Sequence, residues 1–521
     1  MKRWNKTLSA ALVLGMALSS VPASVMAEEA EKLDITVAGG SEDAMDVNTA
    51  TTSTLEGLSA ARHLFEGLYK IGESGEPELG QAASAEISED GLTWTFTLRD
   101  DITWSDGQPV TAQDFIFGFD NLVEQADDYS SILTGVASGW EAPDDATIVI
   151  TLANPCGFLP SVLAFPSTYP ARKDYVEQYG DAYAADPENA VYNGAFVMTE
   201  WEHQSEMVMT AREDYYDADK LEVGTLRWML TSDASSALAA FESGDIIYSD
   251  LCPDEEKPRM MDNGLTFAPG NMNYCVMFNQ GPDGNDVLKD VNVRKALSLA
   301  IDRERIIAIR DLNDELGFTY MCSGFTNADG TDFTEYADPW YDVNDYEGNC
   351  EKAKELLAEA GYANGEGFPS LRYIVNNNDR KEVAESIVND WKEVLGIDTV
   401  TVETDDNFFA DRSAGTYDIA YYGWYMDYTD LSNMFSSINT MDTNNAFYSS
   451  EAYHAAYAAA TATPDQAEQW EHYKECEAIL AEDAPVAVVL HAMSSYLFDD
   501  VNYKDLVYSC GNYIFTYVKA V

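Results

Sequence analysis

The chain has 521 residues, of which 91 are Asp or Glu and only 30 Lys or Arg, for a formal net charge of −61. So large an excess of negative charge argues against nucleic acid and against anionic membrane surfaces, which are both held through Lys and Arg. A hydrophobic share of 46% supports large cores rather than disorder, and the length calls for two or three lobes.

The first residues, MKRWNKTLSAALVLGMALSSVPASVMAEEA, carry Lys2, Arg3 and Lys6 ahead of an apolar run from Leu8 to Leu18 and a small-x-small pattern at Val25-Met26-Ala27. This reads as a secretory signal peptide over residues 1–27. The run is too short for the ~20 residues that a membrane span needs. Removing it takes away three positive charges and leaves −64. No cysteine precedes Cys156, so the lipid-attachment cysteine of anchored exported proteins is absent. The expected product is exported, soluble after cleavage, and periplasmic or extracellular. The seven cysteines form no C-x-x-C pair. Their odd number leaves at least one thiol free or paired with another chain, and buried small apolar side chains explain them as well as bridges do.

Residues 33–40 read as a strand ending in a glycine turn, and Leu58, Ala61, Leu64, Phe65 and Leu68 give residues 54–69 a helical spacing. Trp94, Phe96 and Leu98 alternate as in a half-buried strand. Ser105-Asp106-Gly107 is a turn, and Thr111 is placed to cap a helix whose apolar face is Phe115, Phe119, Leu122 and Val123. Ala146 to Leu152 is another strand, and residues 193–230 read as a hairpin with a return strand. Residues 290–307 predict one amphipathic helix. From there strand and helix alternate: helix 351–360, strand 371–375, helix 380–395 stopped by Gly396, strand 399–404, and strand 417–422. That rhythm implies an α/β lobe.

The segment GWYMDYTDLSNMF, Gly423 to Phe435, is unusual. It sets Asp427 and Asp430 among aromatic and apolar side chains, where an unpartnered buried carboxylate costs roughly 3–5 kcal/mol. Either these acids face water, or a positive group of the protein or of a ligand meets them. Elsewhere the usual chemistry is missing. Five histidines show no metal spacing, and there is no P-loop, G-x-G-x-x-G or G-x-S-x-G. Asn327-Ala328-Asp329-Gly330 has Phe325 where a calcium loop needs its first carboxylate, and reads as a turn.

An ordered set of short patterns resembles the ABC-importer solute-binding proteins of family 5, the oligopeptide, dipeptide and nickel-binding group. The patterns are Leu64-Phe65-Glu66-Gly67-Leu68, Thr103-Trp104-Ser105-Asp106-Gly107 with Pro109-Val110-Thr111-Ala112 and Asp114-Phe115, Asn193-Gly194-Ala195-Phe196 with Trp201, Asp290-Val291 with Val293-Arg294-Lys295-Ala296-Leu297, Ala300-Ile301-Asp302-Arg303, and Ala484-Pro485-Val486. The Asn-Gly-Ala-Phe form is most similar to the oligopeptide-binding branch. The resemblance implies an α/β, two-lobe periplasmic-binding-protein fold of the large type II class, with an inserted domain and two hinge crossings. Lobe one would comprise residues 28–70, 188–277 and 487–521, the insert 71–187, and lobe two 278–486, with hinges near Cys275–Phe278 and Val486–Leu490.

The resemblance also implies function: a non-enzymatic receptor that captures peptides between its lobes and hands them to ABC permease subunits. It would work as a monomer, without cofactor, metal, nucleic acid or catalytic residues. Asp427 matches the aspartate that receives the ligand ammonium, Trp424 would wall the pocket, and Tyr428 is a further candidate contact. Arg380 and Arg412 match positions that meet the ligand carboxylate, for which a guanidinium fork is suited. The sequence departs from the branch at Tyr421-Tyr422, where an arginine is common, and at Asp405-Asp406, where a tryptophan is. Both changes favour a cationic ligand. The competing readings are the same fold binding another solute (a nickel chelate, haem or a cationic metabolite), and an exported hydrolase using two carboxylates.

Overall fold

A computed structural model describes residues 32–40, 46–125, 129–327, 329–439, 444–463 and 465–521. The expected signal peptide lies outside the described residues. None of the described helices is long and apolar enough to cross a membrane.

A mixed sheet of eleven strands forms the spine, ten in one continuous order and the eleventh, Glu315–Leu316, paired beside it with Val486–Phe498. Its order runs from Val400–Thr404 through Leu371–Val375 and Ile419–Tyr425 to the two long strands Leu265–Phe278 and Val486–Phe498, then through Tyr248–Ser249, Leu33–Ala38, Val223–Met229 and Glu206–Ala211 to Phe196–Glu202. The long strands pair antiparallel with each other and belong to both halves. Leu265 faces Leu497, and after a break in register between Pro269 and Asn273, Cys275 faces Val488. Beyond that break the first long strand also pairs with Ile419–Tyr425, with Tyr274 opposite Gly423. Each half has its own parallel pairs: Leu33–Ala38 with Val223–Met229 and Tyr248–Ser249 on one side, and Leu371–Val375 with Val400–Thr404 and Ile419–Tyr425 on the other.

The apolar residues segregate accordingly. One core gathers side chains from Ile35 to Leu230 and from Phe498 to Val518. The two larger of the others lie in the second half. The first joins Tyr274, Tyr373, Trp391 and Tyr421, and the second joins Tyr320, Phe333, Met434, Phe435 and Trp470. Segment 71–187 gives no strand to the main sheet. It forms an antiparallel four-stranded sheet, Ala82–Ile87, Thr93–Leu98, Thr147–Leu152 and Ala137–Asp144, carrying the helix Ala112–Gln125, and its core is continuous with the first.

Several family-like patterns prove to be joints between distant segments. The helix expected over 54–69 stops after Leu64 because Phe65 turns extended. That places Glu66 in the core, where its carboxylate accepts from the Tyr215 (2.5 Å) and Tyr216 (2.8 Å) hydroxyls and from Gln81. The Asn193 amide donates to the Glu66 carbonyl at 2.7 Å. Arg212, 5% exposed, donates to the Thr103 and Tyr192 carbonyls. The helix expected over 290–307 is two helices, Val291–Leu299 and Arg303–Arg310. Asp302 accepts from the Arg305 amide at 3.1 Å and starts the second, since a capping aspartate competes with continuing the first helix. Gly396 stops its helix as expected, with φ +73°. The seven cysteines are all free thiols, and six are buried.

Candidate functional site

In parallel α/β sheets, groups that meet ligands gather beyond the carboxyl ends of the strands, where the chain turns back. The sequence candidates follow this rule. Arg380 comes five residues after Leu371–Val375, and Asp427 two residues after Ile419–Tyr425.

The aromatic–acid segment is built from Asp430 upward. The Asp430 carboxylate accepts from the Ser432 amide at 2.7 Å and caps the helix Leu431–Ser436. Asp430 therefore satisfies backbone amides. The helix presents Asn433, 3% exposed, whose side-chain oxygen accepts from the Trp424 indole (2.9 Å) and from the Asp427 amide (3.4 Å). A second buried amide, Asn273, fixes the preceding residue pair. It accepts from the Trp424 backbone (3.2 Å) and donates to the Tyr320 carbonyl (2.7 Å). Gly423 is required here, because a methyl group would lie 1.8 Å from the Asn273 carbonyl oxygen. Asn273 and Asn433 were missed at the sequence level. Their only signal is an amide set beside apolar residues, Asn433 before Met434-Phe435 and Asn273 between Met272 and Tyr274.

Asp427 is half-buried, and desolvation pushes its carboxyl up to about 6 against a hydrogen bond from Asn433. Among the described residues it makes no ion pair. It lies near enough to the Cys510 thiol to raise that group's pKa further, after burial itself. The segment thus sits where the two halves meet. Tyr428 stacks on Phe158 of the segment 71–187 (5.8 Å, 4°). Ser161 donates to the Thr429 carbonyl at 3.0 Å, and Thr429 and Ser509 share a hydroxyl hydrogen bond of 2.7 Å. Tyr428 is engaged in this junction, whereas its neighbour Tyr425 lines a cavity of about 240 Å³ between the halves, together with Trp228, Tyr248, Tyr513 and Asp250.

The two arginines are not brought together. Successive residues of a strand face opposite sides of the sheet, so Tyr421 and Tyr422 point apart. Arg380 donates to the Tyr274 hydroxyl at 3.1 Å and lies over that ring, which stacks on Tyr421. Arg310 also lies over Tyr274 (4.8 Å) and is paired with Asp314. It is a second cation at this place that sequence reading passed over. Arg412 is on the other face, 7% exposed, with its guanidinium 3.5 Å from the Tyr422 ring centroid. Both arginines keep buried nitrogens without an acceptor: Nη1 of Arg380, and Nε and Nη1 of Arg412. Neither forms an ion pair among the described residues. Arg372 is spent differently, binding Glu403 and Asp405. Asp405 thus meets a cation that it shares with Glu403 and Asp411, whereas Asp406 makes no ion pair among the described residues. Among the described residues no cluster of three or more His, Cys, Asp and Glu side chains suits a metal ion.

Two lobes sharing a pair of long strands, with candidate groups at the facing strand ends, define a type II binding-protein fold. The profile of the bacterial extracellular solute-binding proteins, family 5, matches residues 76–446. The chain belongs to this family, whose members are substrate-binding proteins, and it sits with the oligopeptide-like branch. It is 28% identical over 510 residues to the periplasmic oligopeptide-binding protein OppA of Salmonella typhimurium, covering 92% of this chain and 90% of that one. It is 27% identical over 457 residues to the dipeptide-binding protein DppE of Bacillus subtilis, with coverage of 82% and 81%. Among solved structures, the unliganded open form of the periplasmic murein tripeptide-binding protein MppA superposes with a TM-score of 0.78 at 25% identity, covering 94% of this chain and 98% of that one.

Proposed function

We propose that this chain is the exported, non-catalytic receptor of an ABC importer, closing its two lobes around a peptide and delivering it to membrane permease subunits. The observation that carries the reading is Asp427: a desolvated carboxyl with no cation, oriented by Asn433 beside Trp424 at the lobe junction. A peptide ammonium brings the missing charge and three donors. The unaccepted nitrogens of Arg380 and Arg412 supply two alternative stations for the ligand carboxylate, so Asp427 is the fixed end and peptide length selects the other. Trp424 walls the ammonium site, and Tyr428 acts through the lobe junction.

The lobe division proposed is 28–70, 188–277 and 487–521 against 278–486, with the insert at 71–187. The separation of the cores supports two lobes, but Tyr274, Val276 and Ala487 to Leu490 pack in the second lobe's cores, which moves the boundary to before Tyr274 and after Leu490. The hinge is placed where the long strands change neighbours, at Pro269–Asn273 and His491–Met493, a few residues from the segments first expected. Asn271 there adopts φ +51°. Residues 1–27 direct export and are removed without lipid attachment. The test is mass spectrometry of small molecules released by denaturing the purified protein, with X-ray scattering of the stripped and reloaded forms. Released peptides and a smaller radius of gyration on reloading are expected. Release of a non-peptide solute alone would overturn the assignment.

A further inference from the structure

The cavity between the halves has features that the anchoring of peptide ends does not use. Its walls come from the carboxyl ends of parallel strands in both lobes: Asp250 follows Tyr248–Ser249, and Tyr425 ends Ile419–Tyr425. Two carboxylates line it, Glu56 and Asp250, with the aromatic rings of Trp228, Tyr248, Tyr425 and Tyr513. Tyr248 and Tyr513 contact each other, with centroids 4.7 Å apart. The Asp250 carboxylate folds back over Gly39, where a methyl group would lie 2.6 Å from its oxygen. It accepts no side-chain hydrogen bond and meets no cation among the described residues. The neighbouring Glu56 has no cation either among the described residues; desolvation first, and the Glu56 charge second, push the Asp250 carboxyl up to about 7. Trp228, 3% exposed, has an indole N–H without an acceptor among the described residues. A space of about 240 Å³ holds a long side chain with ordered water.

We propose that this cavity is a subsite for a cationic ligand side chain, a lysine ammonium or arginine guanidinium, with Asp250 and Glu56 as counter-charges and the aromatic rings around its stem. The inference rests on the peptide-receptor reading and adds selectivity to it: the receptor prefers basic peptides. Two like charges held together without a cation repel each other, although Asp250 is open to water on the cavity wall. A ligand cation relieves that repulsion, and aromatic faces favour the same charge. A neutral or acidic side chain leaves the carboxylates uncompensated.

The test uses ligand-stripped protein and alanine peptides of three to five residues, each carrying one lysine, moved through every position, or norleucine at the same place. Norleucine keeps the aliphatic stem and removes the charge. Isothermal titration should find one position at which lysine binds roughly tenfold or more tighter than norleucine. In Asp250→Asn that ratio should collapse towards one. Because the ratio is the readout, a general loss of affinity does not imitate the result. Lysine no better than norleucine at every position, with alanine peptides bound, overturns the subsite and leaves the peptide receptor standing. Cadaverine bound while every peptide fails retains the cation pocket and overturns the receptor reading. Failure of peptides and cadaverine alike overturns both.

Discussion

Replacing Asp427 by Asn should make the ligand-free protein more stable and a weaker receptor. Asn keeps the shape and can still accept from Asn433, but it removes the desolvated charge. The wild-type carboxyl is raised from its ordinary 3.8 to about 6. The folded protein therefore holds an extra proton between about pH 4 and 6, and this group's contribution to stability falls as pH rises through that window. Above it, the full cost of the ionised, desolvated carboxylate remains. At ~1.4 kcal/mol per pH unit the difference amounts to roughly 3 kcal/mol, reduced to about 1–2 kcal/mol because the group is only half-buried and water screens it. Denaturant unfolding of stripped wild type and variant should show the variant more stable by that amount at pH 8, and the two converging near pH 4. A variant less stable than wild type at pH 8, or a difference that does not change with pH, would refute the claim that Asp427 is held without a cation.

Asp430→Ala should cost about 1 kcal/mol of stability through the lost helix cap. It should also weaken peptide binding several-fold, because the capped helix carries Asn433 and Asn433 orients Asp427; unchanged affinity would break that chain of positioning. Arg412→Met removes a buried guanidinium with two unaccepted nitrogens, so the stripped protein should unfold no more readily than wild type. For some peptide lengths the preference for a free over an amidated carboxyl terminus should fall about tenfold, and an unchanged preference at every length would remove Arg412 from the site. Gly511→Ala places a methyl group 1.6 Å from the Tyr425 hydroxyl, at φ +74°. Scattering should then give a larger radius of gyration for the peptide-bound form, and a radius equal to that of bound wild type would show that Tyr425 does not need that approach for closure.

The fold was legible wherever local chemistry and periodicity agree. The alternating strands and helices from Ala353 to Tyr422, the Gly396 stop and the hairpin around Trp201 are each set by neighbours in sequence. The two long strands were not legible as strands. Only Cys275–Phe278 and Val486–Leu490 drew notice, as expected hinges, and the pairing of Leu265 with Leu497 spans more than 200 residues. The break at Asp302 was lost because apolar spacing continues through Ala300 and Ile301 while a single capping side chain decides the outcome. In the site, Asp427 stood out as a charge among aromatic residues. Asn433, Asn273 and Arg310 did not, since an amide or a cation at ordinary spacing acquires its role only from what the fold sets against it. Asp250 and Glu56 are two among 91 acids, and nothing but the fold distinguishes them.

Titration of stripped wild-type protein with tetra-alanine, and with the same peptide acetylated at its N-terminus, tests the central claim most directly. Acetylation removes the ammonium and little else, and breaking a buried charged pair costs roughly 2–5 kcal/mol. The free amine should bind at least tenfold tighter than the acetylated peptide in the wild type, and the two should bind alike in Asp427→Asn. Equal binding of both peptides to the wild type would contradict an ammonium anchor at Asp427.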